Sequence, residues 1–321
     1  MNEHTLGFRV VGPCTGERRL VDAAAAFAAY AECDDKAKVN SEAYLSAFQF
    51  GPGFAEQLKQ TGSVKGYSGS CWSPWIWWDV DRKDDLERAR IDAGRLAVAV
   101  SERFAIDDDD LLAFYSGSKG FHLGMSTHFM PLALPSPDFH RIARRFAENV
   151  AVVAGVVIDT GVYDAVRCFR APNSRHPKTG LHKRRVPVDS LLKVSAAALV
   201  DLAKAPEPFE IPDPSPGGSD FNPSADWNAA AAEIKQQAEA VSQRRDAGAA
   251  SLNRVTLEFI REGAGTGDRH RLCYSAAKNL AEFGCPPGLA HALLSDSALD
   301  SGLPPSEVRR QIECGLKDGA A

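Results

Sequence analysis

The sequence predicts an α+β domain followed by an all-α helical bundle, and three observations carry that reading. The first part of the chain mixes short apolar runs of strand length with amphipathic segments of helical period. A stretch rich in proline, glycine and serine from Ala205 to Asp226 interrupts this pattern and reads as an extended linker. Beyond it the chain is alanine-rich, keeps helical spacing and offers no convincing strand. The expected organisation is therefore a mixed domain over 1–204, a linker over 205–226 and a helical domain over 227–321.

Within the mixed domain, Trp75-Ile76-Trp77-Trp78-Asp79-Val80 is a strongly apolar run that reads as a buried strand. Asp84 is placed to cap the helix that follows. On that helix Leu86, Ala89, Ala93, Leu96, Ala97, Val100 and Phe104 recur at steps of three and four and form one face. Leu111–Tyr115 and Phe121–Met125 read as two strands joined by the turn Ser116–Gly120. Ser136-Pro137 starts a second helix with Phe139, Ile142, Ala143, Phe146 and Val150 facing inward. Val156–Asp159, Val166–Ala171 and Val186–Val188 are shorter strand candidates, and residues 1–70 form a mixed flanking unit. In the helical domain, helices are expected over Trp227–Gln243, after the flexible Gly263–Arg271 lead with Leu272, Ala276, Leu280 and Phe283 facing inward and Gly284 ending it, over Pro287–Leu294 and over Pro304–Gly315.

Composition narrows the class. The 321 residues are 44% hydrophobic, too apolar for a disordered chain, and no run approaches the length of a membrane span. Met1-Asn2-Glu3-His4 does not begin a secretory signal. Seven dispersed cysteines without a CxxC pair argue against both a disulfide framework and a zinc ribbon, so a reducing cytoplasm is expected and no zinc. The net charge of −5 is unevenly spread. Acidic residues crowd Asp79–Asp92 and Asp107–Asp110, whereas Arg167–Lys193 is strongly basic and could hold a polyanion locally. A solvated surface is the competing reading of each run, and for Asp107–Asp110 it is the preferred one.

Three motifs carry chemistry. In Trp78-Asp79-Val80-Asp81 the two carboxylates lie at i and i+2, on one face of a strand, where they repel unless a cation sits between them. Magnesium or manganese suits such oxygen ligands, and the alternative is a strand-end turn with solvated acids. In Ser116-Gly117-Ser118-Lys119-Gly120-Phe121-His122 a glycine turn offers backbone N–H groups beside a lysine and a histidine, a phosphate-binding combination without a P-loop pattern. Here the alternative is a plain glycine-rich hairpin. Third, Ile158-Asp159 is followed by the run from Arg167 through Pro172-Asn173-Ser174-Arg175-His176-Pro177-Lys178-Thr179-Gly180. Asp159 could supply a third carboxylate, with Asp164 as a competitor, and Arg170, His176 and Lys178 form a basic cluster fit for a triphosphate.

The order Asp-x-Asp, Ser-Gly-x-Lys-Gly-x-His, then Ile-Asp with Arg-x-Pro-x-Ser-x-His-Pro-Lys-Thr-Gly resembles the archaeo-eukaryotic primase superfamily over about residues 70–190, and in particular the primase-polymerases of phages and plasmids. The resemblance implies a catalytic core related to the RNA-recognition fold. It implies that Asp79, Asp81 and Asp159 are catalytic and hold two Mg²⁺ or Mn²⁺ ions, and that Ser116, Lys119 and His122 contact the incoming nucleotide. By the same match Arg170 and His176 hold its triphosphate. The implied activity is DNA-templated primer synthesis from NTPs or dNTPs on single-stranded DNA, for a mobile element or phage, with a separate helicase as a candidate partner. The family's zinc knuckle is not visible in this sequence. The helical domain resembles, more loosely, the bundles appended to phage and plasmid primases. There Arg269 and Arg271, near a helix N-terminus, and Lys178 in the third motif are candidate template or primer-end contacts. Rival readings are a primer-extending end-joining polymerase of the same superfamily, a metal-dependent nuclease, and a non-catalytic single-strand binding protein, for which Trp72 and Trp75 are base-stacking candidates, although core packing is the preferred reading of both.

Overall fold

The computed structural model describes residues 4–213, 223–246, 252–265 and 267–319. The chain forms two compact units, 1–236 and 237–321. The first is mixed α+β and the second is helical.

One sheet of the first unit grows from the aromatic run. Its strands are β6 (Trp75–Asp81), β7 (Leu112–Tyr115), β8 (Gly120–Ser126) and β10 (Arg184–Arg185), in the order β10-β7-β8-β6, antiparallel throughout. Helix α3 (Leu86–Phe104) connects β6 to β7, and α4 (Phe139–Ala154) follows β8. This β-α-β-β-α path leaves β6 and β7 parallel with β8 between them, the split arrangement of ferredoxin-like and RNA-recognition folds. Alternation along β6 sets its two faces. Trp78 and Val80 are fully buried, and the Trp78 indole donates to the Ala147 carbonyl of α4. Trp75, Trp77, Asp79 and Asp81 take the opposite face, where Trp77 packs on Phe114 of β7 and Phe169 of β9 (Cys168–Arg170).

The flanking unit supplies the second sheet. It contains β1 (Leu6–Val11), β2 (Arg19–Asp22), β3 (Ala43–Ser46), β4 (Gln49–Phe50) and β5 (Cys71–Trp72), ordered β5-β4-β1-β3-β9 with β2 paired to β1. Helices α1 (Ala23–Ala31) and α2 (Pro52–Thr61) lie between these strands in sequence. Phe8, Phe50 and Phe54 stack in its core. Two short helices, α5 (Val188–Lys193) and α6 (Ala196–Leu202), follow β10.

Several expectations are corrected. The α3 cap is Asp85, whose carboxylate accepts from the Arg88 N–H, and Asp84 instead adopts a positive φ of 60°. Val156–Asp159 is extended but joins no ladder. It touches β6 through the Asp159 N–H, which donates to the Asp79 carbonyl at 2.8 Å. Val186–Val188 is not a strand; the ladder takes Arg184 and Arg185, and Val188 starts α5. The Val166–Ala171 strand exists over Cys168–Arg170, but it completes the flanking sheet.

The second unit contains α8 (Arg254–Glu262), α9 (Arg269–Glu282), α10 (Pro287–Asp300) and α11 (Pro305–Gly319) around Phe259, Ala276, Leu280, Leu294 and Ile312. Helix α8 was not foreseen, and Phe283, expected inside, is 43% exposed. Helix α7 (Ser224–Asp246) begins in the first unit, where Trp227 is buried against Phe139 and Phe146. The expected boundary at 226/227 therefore lies ten residues before the division at Gln236. Within the expected linker, 214–222 lie outside the described residues. Its first part is tied down: the Glu207 N–H donates to Asn173 Oδ1, Phe209 N–H donates to the Ala31 carbonyl, and Arg184 pairs with Glu207. All seven cysteines are free thiols, and no described helix is long and apolar enough to cross a membrane.

Candidate active site

The three carboxylates are brought together by two separate devices. The period of β6 places Asp79 and Asp81 on one face at the strand end. The end of α4 and the extended 156–159 segment deliver Asp159 beside them. One ligand atom from each of Asp79, Asp81 and Asp159 lies within 4.8 Å of the other two. Asp79 and Asp81 are partly buried and Asp159 is exposed. One oxygen of Asp159 accepts from the Gly161 N–H at 2.8 Å, which fixes the rotamer. The competitor Asp164 uses its side chain on the Val166 N–H and is not part of the cluster.

Asp79 has the harshest environment. Its Oδ1 is buried and without a hydrogen-bond partner. Burial, then the negative charges of Asp81 and Asp159, push its carboxyl up to about 8, against the pull of Lys183 and Lys119. A carboxylate cluster with an unsatisfied buried oxygen suits a hard divalent cation, and the donor set is all oxygen. The backbone leaves room for it: a methyl group at Gly120 would collide with Asp81 Oδ1 and the Val80 carbonyl.

The Ser116–Gly120 turn sits over the end of β6. Ser116 closes it, its N–H donating to the Gly120 carbonyl at 2.9 Å and its Oγ accepting from the Gly120 N–H at 3.3 Å. Lys119 Nζ lies 2.7 Å from Asp81 Oδ2. His122 stands directly across the ladder from Asp79, with Nε2 3.5 Å from Asp79 Oδ1. Burial, reinforced by Lys183 and Arg170, drives its imidazole well below the usual range, so the ring is neutral. It stacks near Phe169, and its Nδ1 is buried without a partner.

The third motif folds into a hairpin whose tip meets the second. The Thr179 hydroxyl donates to the Gly117 carbonyl at 2.6 Å. His176 lines the cleft while its Nδ1 accepts from the Lys178 and Thr179 N–H groups, both at 3.3 Å. Arg170 stacks on Tyr44 and donates to its hydroxyl at 3.3 Å, leaving Nη1 buried and unpartnered. Pro172-Asn173-Ser174 serve the fold, because the Asn173 amide donates to the Tyr30 and Glu207 carbonyls and the Ser174 hydroxyl to Ala171 and Ala43.

Asp79, Asp81, Ser116, Lys119, His122, Arg170 and His176 thus line one cleft of about 180 Å³, with Tyr44, Ser118, Arg167, Cys168 and Phe169 completing it. Lys178 is exposed and lies outside the lining residues. In the second unit Arg269 donates to the Ser301 carbonyl at 3.4 Å and Arg271 pairs with Asp268 at 3.0 Å. Trp72 donates its indole N–H to the Ala133 carbonyl, and Trp75 is buried. Sequence reasoning missed Lys183 as a site residue. It is fully buried, donates to the Arg170 carbonyl at 3.0 Å and stands over the rings of Phe169, Phe114 and Trp77. Its place in a basic run reads as surface, and only the fold reveals it as core.

No family model and no curated protein matches the chain. Among solved structures, the chain is similar to one described as the crystal structure of primase RepB', over 97% of this chain and 89% of that chain, with 12% sequence identity and a TM-score of 0.34.

Proposed function

We propose that this chain synthesises primers on single-stranded DNA by nucleotidyl transfer from nucleoside triphosphates. The observation that supports this most is the pairing of two acids, Asp79 and Asp81, with a basic wall, Lys119, Arg167 and Arg170, in one cleft, with a ligand oxygen of Asp159 within 4.8 Å of both acids at its edge. The acids alone would suit many metal-dependent reactions. The facing cations fit a metal-bound polyphosphate, which a nuclease would not require.

Asp79, Asp81 and Asp159 would hold Mg²⁺ or Mn²⁺. When bound, such ions stabilise the attacking 3′-oxygen and the leaving pyrophosphate of an in-line displacement. The remaining groups act on the nucleotide. Lys119, now paired with Asp81, is long and exposed enough to turn to a phosphate oxygen. Arg170 presents Nη1 as a spare buried donor, already oriented by Tyr44. His122, neutral and held by Phe169, can donate one hydrogen bond without adding charge to the metal end of the cleft. The Ser116–Gly120 turn, pinned by Thr179, keeps Lys119 at the mouth. Charge developing on the triphosphate would be met by these donors without reorganisation.

The test is primer synthesis on unprimed single-stranded DNA with labelled nucleotides, in Mg²⁺ and in Mn²⁺, beside Asp79→Ala and Asp81→Ala. Short products that vanish in both variants are expected. Extension of an annealed primer without de novo products would make the protein a primer-extending polymerase. Strand binding without incorporation, unchanged in the variants, would make it a binding protein.

A further inference from the structure

We infer that Arg82 and Asp92 are positioning residues for the carboxylate cluster, acting through Asp159. The inference rests on the metal-binding reading of Asp79, Asp81 and Asp159 given above. Of the three acids, Asp159 has the least support from regular structure. Its segment, 156–159, belongs to no ladder; Val156 is buried and Ile158 packs against the core, but Val157 between them is 75% exposed, so burial alone does not fix the end that carries Asp159. Two arginines add to this, one holding the segment and one the helix end that leads into it. Arg82 Nη1 donates to the Val157 carbonyl at 3.0 Å and to the Asp81 carbonyl at 2.7 Å, so one guanidinium bridges the segment that carries Asp159 to the end of β6. Arg95 Nη2 donates to the Ala154 carbonyl at 3.2 Å, on the last residue of α4 and just before that segment.

Both arginines meet at one buried acid. Asp92, on the inner face of α3 and 2% exposed, takes Arg82 Nε and Nη2 on Oδ2 at 2.9 and 2.6 Å. Its Oδ1 lies 3.1 Å from Arg88 Nε and 3.8 Å from Arg95 Nη1. A carboxylate so deeply buried is unfavourable unless paired and in turn fixes its partners, so α3 becomes a rigid anchor for the grip. The Arg82 backbone N–H also donates to the Lys119 carbonyl at 3.1 Å, which links the same residue to the phosphate-side turn. Gly155 completes the device. It turns the chain out of α4 at a φ of 63°, and a side chain there would press on Arg95 Nη2 at 3.0 Å. Arg82 touches none of the reacting atoms. Its planar fork spans two carbonyls and a carboxylate at once, which a lysine cannot do.

The test is Mn²⁺ binding to the full chain, followed by the electron paramagnetic resonance signal of free Mn²⁺. It compares wild type, Asp159→Asn, Arg82→Lys and the double variant Arg82→Lys/Asp159→Asn. Loss of an outer support for metal ligands typically costs about 10–100-fold in affinity, so Arg82→Lys should weaken Mn²⁺ binding by roughly 10-fold or more. Because Arg82 acts through Asp159, the double variant should bind no more weakly than Asp159→Asn alone. Arg82→Met/Asp92→Leu, which replaces the buried pair with apolar groups, should show the same loss and serves if Arg82→Lys does not fold. Affinity within twofold of wild type in the folded Arg82 variants, or losses that multiply in the double variant, would overturn the positioning role while leaving the metal site intact. A wild type that binds no Mn²⁺, or an Asp159→Asn that binds like wild type, would bring down the metal reading itself and this inference with it.

Discussion

Asp79→Asn should stabilise the metal-free protein and abolish its response to metal. Asp79 faces two carboxylates with ligand atoms inside 4.8 Å. At an effective permittivity of about 20, each such repulsion is worth about 3–4 kcal/mol. Burial adds to this cost, and Lys183 and Lys119 offset part of it, which leaves a net cost of several kcal/mol on the ionised side chain. The sign with pH follows from its carboxyl being pushed up to about 8 from an ordinary 3.8. Between those values the folded state binds more protons than the unfolded one, so the contribution is favourable at low pH and is lost as pH rises through 8. At pH 8.5 in EDTA, Asp79→Asn should therefore melt higher than wild type by roughly 5 °C or more, given roughly 2–4 °C per kcal/mol for a unit of this size. At pH 5 the gap should nearly close. Added Mn²⁺ should raise the melting temperature of wild type and leave Asp79→Asn unmoved. Differential scanning calorimetry at the two pH values, with and without Mn²⁺, decides it. If Asp79→Asn melts below wild type at pH 8.5 in EDTA, the cluster is not a repulsive site awaiting a cation.

Further outcomes follow from single contacts. Gly120→Ala sets a methyl against Asp81 Oδ1 and the Val80 carbonyl, and overpacking of this kind should cost about 1–3 kcal/mol by urea denaturation and weaken Mn²⁺ binding as well. Lys119→Ala removes the cation 2.7 Å from Asp81 and should raise the KM for nucleotide about 10-fold or more in steady-state incorporation, with little change in melting temperature because the side chain is largely exposed. Lys183→Met replaces a buried amine, whose pKa burial pushes well below the usual lysine range and which donates to the Arg170 carbonyl, with an apolar chain of similar length, so stability should stay within about 1 kcal/mol of wild type or rise. Trp227→Ala empties the space against Phe139 and Phe146 and should destabilise the first unit by about 3–5 kcal/mol, read as an earlier first transition in calorimetry.

What the sequence made legible follows from the range of the interactions involved. The run Trp75–Val80, the helix faces after it and the hairpin about Ser116–Gly120 are local patterns of period 2 or 3.6, and the chain forms them where the pattern places them. The carboxylates of Asp79 and Asp81 converge for the same local reason. Asp159 was legible only as the end of an apolar run. What brings it to the others is a set of side-chain-to-carbonyl bonds, from Arg82 over 75 positions and Arg95 over 59, that no periodicity encodes. The same holds for Lys183 and Trp227. A lysine in a basic run reads as surface until three aromatic rings from distant strands close around it. A tryptophan after a proline-rich stretch reads as the start of a new domain until its packing on Phe139 and Phe146 assigns it to the old one. The strands misplaced in the sequence reading, at 156–159 and 186–188, are short segments that each reach a strand through one N–H, from Asp159 to the Asp79 carbonyl and from Val186 to the Ala113 carbonyl, while arginines or a helix start claim neighbouring groups before a ladder can extend. For this chain, then, the residues that carry charge to the site were visible as motifs, and the residues that hold those motifs in register were not, because their partners lie far away in sequence.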